Sequence, residues 1–317
     1  MSAQVGSNPT GHQSPDQYDD EIDLRELFSV LWAGKIKIIA ITVVFAVASV
    51  IYALSVPNQY KAIALLAPAQ SDGGGLSGAL GQMGGLASLA GISLGGGESG
   101  EAQIAQEIMK SWSYIEGFIA ENNIAVEVYA AQGWSKGSNE LQINDGVYDT
   151  ENKQWLIENE AGVTGPPSSW SLFQAFSGRL AVSEDKKSGL VSVSIEYYSP
   201  QVAKQWVDLY VESINRFMQQ RQVDKVTRNI AYLQEQIGKT SVAEMREVFY
   251  TIIEEQTKSK MLAEASPDYA FVAVGPSMVP EEKSQPKRAL ICILGTLLGG
   301  MLSVLLVLVT HYARKSD

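Results

Sequence analysis

Residues 289–310 read ALICILGTLLGGMLSVLLVLVT, twenty-two positions without a charge. A second run, IIAITVVFAVASVIYALSV, covers residues 38–56 and is also uncharged over nineteen positions. At a rise of about 1.5 Å per residue the two helices reach roughly 33 and 28 Å, close to the ~30 Å hydrocarbon core of a bilayer. A signal peptide is a poor reading of residues 38–56. The run is long for such a segment, and Asp16, Asp19, Asp20, Glu21 and Asp23 precede it. The chain therefore divides into two membrane spans and one long stretch between them.

Flanking charges predict the orientation. Arg25, Lys35 and Lys37 precede the first span and only Lys61 follows it closely. This places the N-terminus in the cytoplasm. The second span alone leans the other way, with Lys283, Lys287 and Arg288 before it and Arg314 and Lys315 after. The first helix usually dominates. Both termini are then expected on the cytoplasmic side, with the stretch between the spans exported. The expected parts are a tail with a short amphipathic helix (1–34), a first span (35–56), an exported domain (57–288), a second span (289–310) and a tail (311–317).

The exported stretch carries 19 basic against 28 acidic residues, a net charge of −9. Such a surface excludes nucleic acid as a partner on electrostatic grounds. The single cysteine, Cys292, lies in the second span, so no intramolecular disulfide forms. The two histidines are His12 and His311, both outside the exported stretch. Serine triads, Cys–His pairs and histidine-bearing metal sites are therefore excluded there. The trace IGKTS at 237–241 imitates part of a phosphate loop. It has Leu233 where that motif needs glycine, and it follows a helix instead of a strand. Acidic pairs such as Glu184-Asp185 and Glu254-Glu255 read as solvated turns and helix faces rather than glycoside-cleaving carboxylates. The expectation is a protein that is not an enzyme and uses no cofactor or metal.

Local patterning predicts an α+β exported domain. Residues 1–20 read as disordered. Leu24, Leu27, Phe28, Leu31 and Trp32 then recur at helical spacing. QYKAIALLAP (59–68) reads as a strand. Residues 73–100 hold twelve glycines, yet Leu76, Leu80, Met83, Leu86, Leu89 and Ile92 recur every three or four positions. That segment is either a flexible connector or an apolar loop packing on a neighbouring subunit or on the membrane. Ser99 is expected to cap one helix over 101–122, and a helix is expected around 170–176. Asp145-Gly146 suggests a small hairpin, and the alternation on either side of Asp185–Gly189 suggests another.

From Pro200 the pattern turns helical. Val223, Val226, Ile230, Leu233 and Ile237 step as a coiled-coil seam, resumed by Val242, Met245, Phe249 and Ile252. Gly238 is expected to end the first helix, and Ser241 with Glu244 to form a capping box for the second. Ser241→Ala would then cost roughly 1 kcal/mol. An unbroken helix over 200–265 would rise about 100 Å, whereas the residues from there to 288 stretch back only about 75 Å. An antiparallel helical hairpin over about 200–265 is therefore expected, with DYAFVAVGP (268–276) returning as a strand to the base sheet. In the spans, Gly295, Gly299 and the adjoining Gly300 form one small-residue face, and Ala46, Ser49 and Ala53 form another. Pro280 and Pro286 stiffen the entry to the second span.

Together these features resemble the chain-length determinant (Wzz) family of polysaccharide co-polymerases. The likeness rests on EIDLRELFSVLWAGK (21–35), VSEDKKSGLVSVSIEYYSPQVAKQWVD (182–208) and SVAEMREVFYTIIEEQTK (241–258). It also rests on PSMVPEEKSQPKRA (276–289) leading into GTLLGG (295–300). There Pro280, Ser284, Pro286 and Lys287 fall on the family's carboxy-terminal motif, and Gln285 interrupts its usual Ser-Pro-Lys. The resemblance implies an inner-membrane protein with a periplasmic domain, assembled as a homo-oligomeric ring and surrounded by membrane lipids. It implies a regulator of O-antigen-type lipopolysaccharide chain length, working beside a Wzy-type polymerase on a lipid-linked polysaccharide. Two rivals stand beside it. One is an exopolysaccharide or capsule export co-polymerase paired with a separate tyrosine kinase, since seven residues after the second span hold no kinase. The other is a two-span sensor ectodomain.

Overall fold

The computed structural model describes residues 24–69, 97–158 and 162–316. The expectations for residues 1–20 and for most of the glycine-rich segment therefore lie outside the described residues. The chain forms two compact units, one of residues 1–55 with 287–317 and the other of residues 56–286.

In the second unit, β1 (Tyr60–Pro68) sets the frame. Ala62, Ala64 and Leu66 are buried while Lys61, Ile63 and Leu65 are exposed, the period-two pattern of a strand covered on one side. It pairs antiparallel with β7 (Val191–Tyr197), Tyr60 opposite Tyr197 and Leu66 opposite Val191. Strand β6 (Leu180–Glu184) flanks β7, and β8 (Phe271–Ala273) flanks β1, giving the order β6-β7-β1-β8. The β6–β7 turn forms as expected. Gly189 takes φ +69°, which a side chain would strain. The Asp185 carboxylate accepts from the Lys187 N–H at 2.9 Å and the Ser188 hydroxyl at 3.0 Å. Those bonds, the Lys187 one first, hold its pKa below the usual carboxylate value.

Helices cover the inner face. Helix α3 (Gly97–Lys110) ends at Ser111, whose hydroxyl accepts the Tyr114 N–H and caps α4 (Trp112–Asn122). The single helix expected over 101–122 is thus two, and Ser99 lies inside the first instead of capping it. After α5 (Ala125–Ala130), β2 (Ala131–Ser135) pairs with β3 (Glu140–Ile143), and β4 (Tyr148–Asp149) with β5 (Gln154–Trp155). Asp145-Gly146 does turn the chain, but it joins β3 to β4, and each of those pairs elsewhere. The Asn144 side chain holds this turn by accepting the Gly146 N–H. Helix α6 (Ser169–Ser177) follows.

Helix α7 (Pro200–Lys239) begins at Ser199, which is buried and accepts the Val202 N–H. Its first half lays Ala203, Trp206, Val207, Tyr210, Ile214 and Met218 on the sheet, the one-face spacing of a covered helix. Tyr210 sits at the centre, with Phe118 at 4.8 Å and Phe176 at 5.6 Å between ring centroids. Its hydroxyl donates to the Met109 carbonyl, as that of Tyr197 does to Glu127 O at 2.6 Å.

Burial pushes the phenols of Tyr114, Tyr197 and Tyr210 well above the usual tyrosine range, and that of Tyr269 up to about 12. A phenol with a raised folded pKa keeps its proton while the unfolded chain gives it up. Its stabilising effect is whole below about pH 10 and is lost as pH climbs towards the folded values. Titration to alkaline pH, followed by circular dichroism, is expected to show unfolding that sets in above that point.

Beyond Met218, α7 carries Val223, Val226, Ile230, Leu233 and Ile237 on its covered side, as the heptad pattern predicts. Helix α8 (Ala243–Ala265) follows a three-residue connector. The Gln219 side chain donates to the carbonyls of Ala263 at 2.9 Å and Ser266 at 3.1 Å, so the end of α8 lies beside the middle of α7. The inner face of α8 is Phe249, Ile253, Gln256, Lys260 and Ala263, stepping 4, 3, 4, 3. The expected seam is therefore offset, and Val242, Met245 and Ile252 are exposed at 49, 46 and 36%.

The capping details also need correction. Helix α7 runs through Gly238 to Lys239, with Thr240 as its C-cap in extended conformation. Gly238 is thus not the terminating glycine. Val242 occupies the N-cap of α8 with no side-chain hydrogen bond, so Ser241 caps nothing and Glu244 is the helix's second residue. The helix begins at Ala243, one residue later than a box with Ser241 as N-cap and Glu244 as third residue requires. Ser241→Ala is now expected within about 0.5 kcal/mol of the parent. Ser199→Ala should cost about 1 kcal/mol through its lost cap. Thermal unfolding of the two variants in detergent distinguishes them.

Candidate functional site in the paired apolar helices

The first unit contains α1 (Leu24–Ala33), α2 (Lys35–Ser55) and α9 (Arg288–Ser316). Helices α2 and α9 are long and apolar enough to cross a membrane. Most of their large side chains face outward, so burial alone does not hold the pair together. Between helices in a lipid environment, close backbone approach and interhelical polar contacts take over.

The contact line runs down α9 at every fourth residue. A Cβ on Gly295 would lie 2.5 Å from Ser49 Cβ, and one on Gly299 would overlap Phe45 Cβ. Ser303, fully buried, stands 3.4 Å from the Thr42 hydroxyl. Val307 meets Gly34, where an added Cβ would lie 2.5 Å from Val307 Cγ1. Rising numbers on α9 meet falling numbers on α2, so the two helices are antiparallel. Each hydroxyl is also satisfied by its own helix, Thr42 to Ile38 O at 2.8 Å and Ser303 to Gly300 O at 2.7 Å. Neither leaves an orphan in an apolar setting.

Gly295 and Gly299 are therefore brought against α2 by the fold. Gly300 is not equivalent, since its added Cβ would meet Thr42 Oγ1 only at an ordinary 4.0 Å. On α2, Ser49 faces Gly295, Ala53 is 1% exposed and Ala46 is half-buried. Gly34 is a contact that the small-residue spacing of the spans did not single out. Its signal was a lone glycine between two helical apolar runs. On α1, Phe28 and Trp32 stack at 6.2 Å, and the Lys35 ammonium lies 4.6 Å over the Trp32 ring.

Pro280, Pro286 and Lys287 fall elsewhere. Pro280 is half-buried and Pro286 buried in the second unit, and Lys287 is the exposed residue with which the first unit resumes. Beside Pro286 the chain is clasped to its own entry strand. The Gln59 N–H donates to Gln285 O at 3.0 Å, and Gln59 O accepts from the Ser284 N–H at 2.8 Å and its hydroxyl at 3.1 Å. Ser284 thus gains a physical role from its place in the motif. Among the described residues no His, Cys, Asp or Glu cluster suits a metal ion.

Two solved structures cover much of the chain. One, described as a full-length bacterial polysaccharide co-polymerase, is 15% identical over 93% of this chain and 99% of its own, with a TM-score of 0.39. Another is a fragment of WzzB, a polysaccharide co-polymerase from Salmonella Typhimurium. It is 12% identical over 72% of this chain and 100% of its own, with a TM-score of 0.29. No curated protein matches the chain. A family model does match, described as Wzz, chain length determinant protein, over residues 20–122. That stretch begins just before α1 and runs through α2, β1 and α4, and over it the chain is similar to the Wzz, chain length determinant, family.

Proposed function

We propose that this protein regulates the length of an O-antigen-type lipopolysaccharide chain without catalysing its synthesis. It does so as a homo-oligomeric co-polymerase beside a Wzy-type polymerase. The observation that carries the reading is the Wzz match over residues 20–122. In this reading α2 and α9 span the inner membrane, both termini are cytoplasmic, and residues 57–288 form the periplasmic domain. Helices α7 and α8 serve as its helical hairpin. The seam of Gly295 and Gly299 against Ser49 and Phe45 would fix the two spans as one body. Acidic surface charge and the lack of histidine and cysteine between the spans support a role in organisation rather than bond-making.

Deleting the gene and resolving surface polysaccharide by gel tests this reading. A modal ladder should collapse to a broad, unregulated distribution and return with the full chain. An unchanged ladder in the deletion strain would overturn the proposal.

A further inference from the structure

The exposed stripe of α2 does not stop where α2 does. On α2 it runs through Ile36, Ile39, Val43 and Val47, all exposed, at helical steps of 3, 4 and 4. Carried back at the same spacing it reaches Trp32 and Phe28 on α1, 63 and 65% exposed. Gly34 does not interrupt the ladder between the two helices. Its N–H donates to Val30 O at 2.9 Å, and its carbonyl accepts the Ile38 N–H at 3.0 Å. One face therefore continues from α2 onto α1, while Val30, on the other side of α1, is buried.

The chemistry of that face changes at a definite level. From Ile38 to Val56 the chain carries no charge. At Trp32 the ring stacks on Phe28 and has the Lys35 ammonium 4.6 Å above it. Lys35 follows Trp32 by three residues, so its side chain has turned back along the helix, away from the uncharged run. A long amine drawn out of an apolar layer towards an aromatic ring suits a membrane boundary. Tyr312 on α9 is exposed at the same end, five residues past the Val307 that meets Gly34. At the other end of α2 the exposed aromatic is Tyr52, twenty residues after Trp32. Twenty helical residues rise about 30 Å, the thickness of the hydrocarbon core. Aromatic levels that far apart are spaced for lipid. Water or a docked protein sets no such distance.

We infer that α1 is a lipid-surface element, with Phe28 and Trp32 at the boundary between acyl chains and headgroups and Lys35 at the headgroup phosphates. The boundary then stands on α1, within the stretch that charge counting assigns to a cytoplasmic tail. An α1 held there sets the depth of α2 in the bilayer. The inference rests on reading α2 and α9 as spans and goes beyond it.

The test uses the full chain with Cys292→Ser, in nanodiscs of phosphatidylethanolamine and phosphatidylglycerol. Phe28→Cys, Trp32→Cys and Val43→Cys each carry an environment-sensitive fluorophore, and the same fluorophore on glutathione gives the response of open water. The lipids carry a nitroxide either at the headgroup or deep on the acyl chain. Positions 28 and 32 should lose most of their emission to the headgroup nitroxide and resist aqueous iodide, whereas position 43 should respond most to the deep nitroxide. Iodide quenching at 28 and 32 equal to that of the glutathione conjugate, with position 43 still quenched by lipid, would overturn the inference alone. Protection of 28 and 32 from iodide and from both nitroxides would show a protein partner and overturn it equally. Absence of lipid quenching at position 43 would overturn the span reading and the inference with it. Each of the two α1 variants keeps the other ring, so the test stands if one fails to insert. No glycan enters the measurement, so its failure is distinct from failure of the chain-length reading.

Discussion

Replacing Gly295 and Gly299 together by leucine is expected to force α2 and α9 apart and abolish control of glycan length, while residues 56–286 stay folded. At Gly295 the new Cβ would fall 2.5 Å from Ser49 Cβ and 3.0 Å from its hydroxyl. At Gly299 it would overlap Phe45 Cβ and lie 2.8 Å from Cγ. These are the first atoms of the opposing side chains, tied to the backbone, and they cannot swing aside. Overpacking of this kind costs about 1–3 kcal/mol per site, which is large for a helix pair that exposes most of its apolar side chains. Gly300→Leu should have a much smaller effect, because its nearest neighbour is at 4.0 Å. A cysteine pair reports the seam directly. Thr42→Cys with Ser303→Cys, in a Cys292→Ser background, replaces two hydroxyls 3.4 Å apart and should oxidise readily. The crosslink should vanish when both leucines are present, and the modal glycan ladder with it. An intact crosslink and a normal ladder would reduce the glycines to ordinary membrane composition.

Asn215→Leu should be the most damaging single change in the second unit. Asn215 is 3% exposed. Its side-chain carbonyl accepts the N–H groups of Ala270 at 3.0 Å and Phe271 at 2.8 Å, and its amide donates to Phe271 O at 2.8 Å. Three backbone groups of the return strand depend on this one side chain. An unpartnered buried polar group costs about 1–3 kcal/mol, so the loss should reach roughly 3 kcal/mol or more in total. Leucine has the same number and branching of side-chain heavy atoms and is the larger residue, so no cavity opens and the lost hydrogen bonds are joined only by some crowding. Strand β8, with Phe271 fully buried, should detach first. Denaturant unfolding checks the magnitude, and hydrogen exchange at 269–274 checks the place.

Much of this fold is legible in the sequence, for identifiable reasons. Strand β1 announces itself as an apolar run bounded by prolines, and the β6–β7 hairpin by alternation on either side of a turn whose Asp185 and Gly189 suit it. The apolar helices show by length alone, and the seam of α7 shows because its heptads continue unbroken from Val223 to Ile237. The failures cluster where local motifs compete with chain connectivity. Ser241-x-x-Glu244 has the spacing of a capping box, yet the helix starts at Ala243 and the pattern goes unused. Ser111 was an equally short signal inside a long helical pattern, and there the structure uses it. Asn215 carries no sequence signal at all, since its partners lie 55 and 56 residues away. In the candidate site the four-residue spacing identified Gly295 and Gly299. Only the opposing helix separates them from Gly300, and only packing reveals Gly34.

The central claim is regulation without catalysis, and a reconstituted polymerisation tests it most directly. A Wzy-type polymerase and lipid-linked repeat units are placed in liposomes with and without the full chain, and the product lengths are resolved. With the protein present the products should gather around a modal length. The protein alone should form no glycosidic bond. Products equally dispersed with and without it, or chain growth in the absence of the polymerase, would contradict the account.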